Sequence, residues 1–179
     1  MNRRGTSLVG FAVVTLIGIG APAVADAEVV TTRLGGYQET PQTINTSGSG
    51  SFVARISEDG TTIEYELTYT TLSSSATQSH IHFGRPSLSG GVALFLCTNL
   101  SNAPASVPTP QACPAAPATI TGTLTAANVI ALPAQGIDSG AAGFAEMLAA
   151  IRAGAAYVNV HTTLHPAGEI RGRVSQSGD

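Results

Sequence analysis

Apolar and polar residues alternate along most of the chain beyond residue 27, the period of strands that bury one face. Phe52, Ala54 and Ile56 fall on one side of a strand at Ser51–Ile56. Ile63, Tyr65, Leu67 and Tyr69 do the same at Thr62–Thr70, with Glu64, Glu66 and Thr68 opposite. Ser57-Glu58-Asp59-Gly60-Thr61 between them is the turn of a hairpin. Val29–Tyr37 alternates more weakly and ends in Gly35-Gly36, which suits a first strand at a sheet edge. Gln78–Phe83 and Thr119–Thr125 also alternate, and Val92–Cys97 is a short unbroken apolar run, the pattern of a strand covered on both sides. Ala155–Thr162 and Glu169–Ser175, joined by Thr163–Gly168, are the last two strands.

One segment has a different period. Phe144, Met147, Leu148 and Ile151 stand at i, i+3, i+4 and i+7, the stripe of an amphipathic helix, with Asp138 or Ser139 to cap its start and Gly154 to end it. About eight short strands and one helix predict an all-β domain, an antiparallel Greek-key sandwich or barrel with one short helix across an end of the sheet.

Composition adds a compartment. The chain has 179 residues, enough for one domain plus processing segments. Arg3 and Arg4, the apolar run Leu8–Ile19 and Ala23-Val24-Ala25 read as a secretory signal peptide, 1–25, cleaved after Ala25 or, as a second site, after Ala27. Gly5-Thr6-Ser7 match a twin-arginine signal poorly, so an ordinary export signal is expected. The apolar run is shorter than the roughly 20 residues a membrane span needs, and no later stretch replaces it. Residues 26–179 are then a single soluble domain, secreted to the extracellular space or the periplasm.

That domain has six arginines, no lysine and eleven acidic residues, a net charge of −5. Such a surface argues against nucleic acid as a partner, and the absence of Trp argues against base-stacking platforms. Cys97 and Cys113 enclose fifteen residues and, in an exported protein, read as a disulfide. The alternative, two thiolate metal ligands, lacks the short Cys-x-x-Cys spacing. Asn45-Thr46-Ser47 and Asn99-Leu100-Ser101 are formal glycosylation triplets in predicted loops.

Strand alternation also sorts the histidines. Val158 and Val160 share a face, so Tyr157, Asn159 and His161 share the other; Ile81 and Phe83 share a face, so His80 and His82 share the other. Two histidines at i and i+2 project side by side, and a third from a neighbouring strand makes a three-histidine set suited to Zn or Cu with a fourth position open. The same residues have a structural reading, as neutral imidazoles bonded to backbone carbonyls beneath a covering loop, with Gly84–Gly91 and Asn99–Ala118 as covers. His165 lies beyond the strand in a turn. Glu169 and Arg171 share a strand face, either as an exposed ion pair or with Glu169 fixing a histidine tautomer. Glu39 is expected to bond local backbone amides rather than act as a base. The chain has no nucleophile elbow, phosphate-cradling loop or calcium loop.

Gly36-Tyr37-Gln38-Glu39-Thr40-Pro41, His80-Ile81-His82-Phe83-Gly84, Gly122-Thr123-Leu124-Thr125, Tyr157-Val158-Asn159-Val160-His161-Thr162 and Pro166-Ala167-Gly168-Glu169-Ile170-Arg171-Gly172 together resemble the CHRD (chordin-type) domain, in order and spacing, over about residues 33–174. The resemblance implies an extracellular, immunoglobulin-like β-domain and carries over Glu39, His80, His82, Asn159, His161, Glu169 and Arg171, but not His165. It implies no established activity; the growth-factor partners of chordin do not transfer to a single-domain chain. A weaker resemblance to the copper-zinc superoxide dismutases rests on the outward His-x-His pair and a disulfide-held loop. Too few histidines are present for a second metal. Two functions follow as expectations: a non-enzymatic extracellular module binding a protein or other ligand, with one transition-metal site at the histidines, or a copper- or zinc-dependent extracellular enzyme, redox in type if copper.

Overall fold

The computed structural model describes residues 1 and 27–176; the expected signal peptide lies outside the described residues apart from Met1. The elements in chain order are β1 (Glu28–Gly35), β2 (Ser49–Ile56), β3 (Ile63–Thr70), β4 (Ala76–Phe83), β5 (Gly91–Thr98), β6 (Ala118–Leu124), α1 (Gly140–Arg152), β7 (Ala156–Thr162), β8 (Ile170–Arg173) and β9 (Ser175–Gln176). The strands form one antiparallel sheet in the order β5-β4-β7-β8-β1-β2-β3-β6, with β9 also pairing β1. The sheet curls into a nearly closed barrel, an all-β fold with one helix as the alternation predicts.

Alternation finds the core as well. Phe52, Ala54 and Ile56 of β2, Ile63, Tyr65, Leu67 and Tyr69 of β3, Ile81 of β4 and Val158 and Val160 of β7 join one buried apolar cluster. Phe144, Met147, Leu148 and Ile151 of α1 pack into it too. The helix starts after Ser139, whose side chain makes no capping bond, and Gly154 just beyond its end takes φ 62°. It lies against the barrel end that holds the β2–β3 turn, where Leu148 reaches Gly60 and Arg152 pairs with Glu28.

Position in the sheet is where local pattern misleads. β1 is not an edge strand: it sits between β8 and β2. Its weak alternation is that of a strand with neighbours on both sides and a polar outer face. β5, the apolar run, ends the strand order, yet residues 93–97 are all buried. Its free edge is closed by the segment after it. The Thr98 amide donates to the Gln111 carbonyl, while the Gln111 side chain donates to the Thr121 carbonyl on β6 and to the Tyr65 hydroxyl. Gln111 thereby ties the two open edges of the sheet, the groups that would otherwise template pairing with another chain.

The Cys97–Cys113 disulfide anchors that segment. Asn99 holds it from the other side, donating to the Ala76 and Cys113 carbonyls and accepting from the Cys113 amide. With its amide so engaged, the Asn99 triplet is a structural residue in this fold. The segment therefore covers the barrel seam, not the histidines. Removing the cross-link in a Cys97→Ser/Cys113→Ser double variant is expected to lower unfolding free energy in urea by about 3 kcal/mol, the loop-closure value for this spacing. An unchanged urea midpoint would contradict a role in closing the seam.

Candidate metal centre

A polar layer lies on the outside of β4, β7 and β8. The strand register sets it out in rows: Phe95, His80, Asn159 and Arg171 stand opposite one another across β5, β4, β7 and β8, and His82, Tyr157 and Arg173 form the next row. His161 faces Gln78, one step diagonal to His80. This outer face is not solvated. Every residue of β7 is buried, because residues 36–44, 84–90 and 163–169 fold over it. Phe95 and Tyr157 are buried here, outside the main core cluster.

The three imidazoles converge. Ring centroids are 5.1 Å apart for His80–His161, 5.3 Å for His80–His82 and 6.2 Å for His82–His161. One nitrogen from each lies within 4.8 Å of the others. Two of the rings have fixed tautomers. His82 Nδ1 is 3.1 Å from the Gly90 carbonyl and His161 Nδ1 is 3.0 Å from the Pro166 carbonyl. A carbonyl only accepts, so each Nδ1 carries its proton and each Nε2 presents a lone pair. Neither Nε2 has a partner, and neither nitrogen of His80 has one. Orienting Nδ1 through a backbone carbonyl while Nε2 points to a common centre is the arrangement of metal-binding histidines. Ligand bonds of ~2.0–2.1 Å set nitrogens about 3.3 Å apart in a tetrahedral site, so an ion would draw the three rings inward.

The rings are held in the neutral form a metal requires. Burial, reinforced by His161 and His82, pushes His80 down to about 2. Burial pushes His82 down to about 4, against the opposing pull of its bond to Gly90. His161 is lowered by burial too, partly offset by its bond to Pro166.

Aromatic packing fixes the cluster laterally. The His82 ring stacks on Tyr157 at 4.6 Å and 5°, and the Arg171 guanidinium lies 3.4 Å from the centre of the Tyr157 ring. Tyr157 is thus held between an imidazole and a cation, a contact favourable when desolvated. Gly90 clamps the stack, its amide donating to the Tyr157 hydroxyl and its carbonyl accepting from His82. A side chain at residue 90 would collide with the Phe83 carbonyl, so only glycine fits. His80 packs edge-on against Phe95 at 4.5 Å.

The carboxylates behave differently from expectation. Glu169 neither pairs with Arg171 nor touches a histidine. It is fully buried and accepts from Thr46, from the amide and hydroxyl of Ser73, and from Thr162. Burial would raise it, yet these donors hold it below the usual carboxylate range. Glu169 therefore ties the loops before β2 and before β4 to the end of β7. Arg171, only 2 % exposed, donates to Thr40 and to the carbonyls of Arg85 and Leu88, fastening two covering loops over the site. Both the exposed ion pair and the histidine-orienting role are overturned: the two residues share a face, but each is surrounded by the donors or acceptors of different loops.

Glu39 does more than bond backbone. It accepts from Asn159 Nδ2 at 3.2 Å, and burial raises it to about 7 despite that bond and the nearby Arg171. Glu39 Oε1 and Asn159 Oδ1 have no partners and both crowd Gly168, which takes φ 134° and has no room for a Cβ. His165 is half-buried, bonds only through its backbone to Thr162 and Gly168, and stands outside the three-histidine group. Strand alternation put Tyr157 on the histidine face but gave it no role, and it did not single out Phe95 or Gly90. Tyr157 alternates in register with Asn159 and His161, a usable signal; the fit of Gly90 depends on a contact no local pattern carries.

The family model of the CHRD domain matches residues 30–174. The chain belongs to the CHRD family. Neither a search of curated proteins nor one of solved structures produced a match. The strands that carry the histidines, the seam-closing segment and the covering loops all fall within the CHRD match.

The buried neutral rings give a pH dependence. In the unfolded chain histidines titrate near 6.5, whereas the folded protein keeps His80 and His82 neutral to about 2 and about 4. The unfolded state therefore binds more protons below pH 6.5, and folding weakens by about 1.4 kcal/mol per pH unit for each such ring. Glu39 acts in the opposite sense, since its raised value makes the folded state hold the extra proton between 4.5 and about 7. Urea unfolding of metal-free protein is expected to show a loss of roughly 2–4 kcal/mol from pH 7 to pH 5, steeper in Glu39→Gln. A flat profile would contradict burial of neutral imidazoles.

Proposed function

We propose that this CHRD-domain chain is an exported, non-enzymatic binding module in which His80, His82 and His161 hold a single transition-metal ion, zinc or copper. Unpartnered, buried Nε2 atoms on two tautomer-fixed rings carry this reading. Burying a hydrogen-bonding group without a partner costs of the order of 1–3 kcal/mol, and three such groups at one point ask for a common partner. A metal ion satisfies all three at once. When bound it would join β4 to β7 and leave a fourth coordination position for a ligand atom. Asn159, held by Glu39, lies directly across from His80 and presents an unpartnered Oδ1 on the same face.

Export is supported by the Cys97–Cys113 disulfide, which persists in oxidising compartments, and by the charged start, apolar run and small-residue site of residues 1–25. Among the described residues no helix is long and apolar enough to cross a membrane. In this reading the exported protein begins at Asp26, and its domain, 26–179, binds an extracellular protein or other ligand.

Metal analysis of exported protein, before and after reconstitution with zinc or copper, is expected to give about one equivalent, and His82→Ala or His161→Ala to lose it. Metal should also raise the unfolding midpoint of the parent and not of either variant, since an ion that binds only the folded state stabilises it. Less than about a tenth of an equivalent after reconstitution, with no shift in midpoint, would refute the site.

A further inference from the structure

Three neutral imidazoles that point together do not by themselves choose between zinc and copper, but their surroundings do. Among the described residues no carboxylate or thiolate shares the group with His80, His82 and His161. The two buried carboxylates on this face are engaged elsewhere, Glu169 with Thr46, Ser73 and Thr162, and Glu39 with Asn159. Cys97 and Cys113 are joined in the disulfide. The donor set is therefore uncharged.

The charge fixed beside this set is positive. The Arg171 guanidinium lies over the Tyr157 ring, which stacks on His82. Arg171 is buried, and no carboxylate among the described residues stands within ion-pair distance of it. Glu39, whose charge acts on Arg171, is raised by burial to about 7, so it offsets that charge only in part. The centre is also closed to water. His80, His82 and His161 are 2 %, 8 % and 7 % exposed, and their unpartnered nitrogens present almost no surface to solvent. Phe95 packs edge-on against His80 and Tyr157 lies flat against His82, so the walls are aromatic.

A dication suits this environment poorly. The cost of moving an ion from water into a medium of low polarity rises with the square of its charge, so a monovalent ion of similar size incurs roughly a quarter of it. Zinc in closed sites is usually neutralised by thiolates, and zinc held by three histidines completes its tetrahedron with water. The further atom that this face offers, Asn159 Oδ1, is neutral as well. Copper as Cu(I) is monovalent, takes imidazole nitrogen and is satisfied by three ligands in a plane. We propose that His80, His82 and His161 bind copper as three-coordinate Cu(I) in preference to zinc and Cu(II), an assignment that rests on the metal reading above. No electron transfer is involved: the ion is taken up as Cu(I), and Arg171 and the aromatic walls disfavour the dication.

The exported chain suits a direct measurement, because it has no free thiol and its one methionine after residue 25, Met147, is buried in the core. Metal-free protein is titrated anaerobically with Cu(I) against bicinchoninate, and with Cu(II) and zinc against chelators of known affinity. One equivalent of Cu(I) is expected to bind, about a hundredfold or more tighter than zinc and about tenfold or more tighter than Cu(II). X-ray absorption of the Cu(I) form should show three nitrogen neighbours. His161→Ala should weaken Cu(I) binding about a hundredfold or more. Asn159→Asp places an anionic oxygen opposite His80 and should move the affinity ratio about tenfold or more toward zinc. Zinc or Cu(II) binding as tightly as Cu(I) overturns the Cu(I) assignment and leaves the metal site standing. Failure of all three ions to bind overturns both. Cu(I) binding retained in His161→Ala, or a ratio unmoved by Asn159→Asp, also overturns the assignment.

Discussion

Four imidazole nitrogens, buried and without partners, are the constraint around which this side of the molecule is arranged. A β-sheet normally leaves one face to water, where histidines would be satisfied at no cost. Here the outer face of β4, β7 and β8 is roofed by three loops, so every polar group on it needs a protein partner or a ligand. Most find one. Glu169 collects donors from Thr46, Ser73 and Thr162, and Arg171 spends its donors on Thr40, Arg85 and Leu88. The histidines are half-satisfied, with Nδ1 of two rings bonded and the other nitrogens pointing together. That asymmetry favours a metal over a purely structural role, in which the carbonyl bonds would have sufficed.

The roof and the centre depend on each other. Gly90 bonds both His82 and Tyr157, and Tyr157 is held between His82 and Arg171, which in turn grips the loops carrying Thr40 and Leu88. A change at any of these moves the orientation of an imidazole. The same coupling joins the covering loops to the histidine strands, through Arg171 and Tyr157 on one route and Glu39 and Asn159 on the other.

Period-two patterning located the strands to within about two residues and assigned faces correctly, because sidedness is a local property of a pleated chain. It placed His80, His82, Asn159 and His161 on one face before any strand order was known. Burial of that face was legible only in part: Gly84–Gly91 stood out as a possible cover and does lie over it, whereas the cover from residues 36–44 depends on a loop distant in sequence folding back over β7. For the same reason Glu169 and Arg171 looked like an exposed pair: nothing in Glu169-Ile170-Arg171 announces Ser73 or Leu88 as neighbours. β1 was placed at an edge because its alternation is weak, but edge or interior is decided by pairing with β8, a contact across more than a hundred residues. The disulfide was legible from cysteine number and compartment, while the role of Gln111 in closing the seam required both edges to be seen together.

The central claim is that three histidines share one ion. Anomalous diffraction at the zinc or copper edge from crystals of reconstituted protein tests it most directly. A single peak is expected about 2.0–2.1 Å from one nitrogen each of His80, His82 and His161, with Nδ1 of His82 and His161 still bonded to Gly90 and Pro166. An ordered water at that point with no anomalous signal, or a peak bound elsewhere, would contradict it.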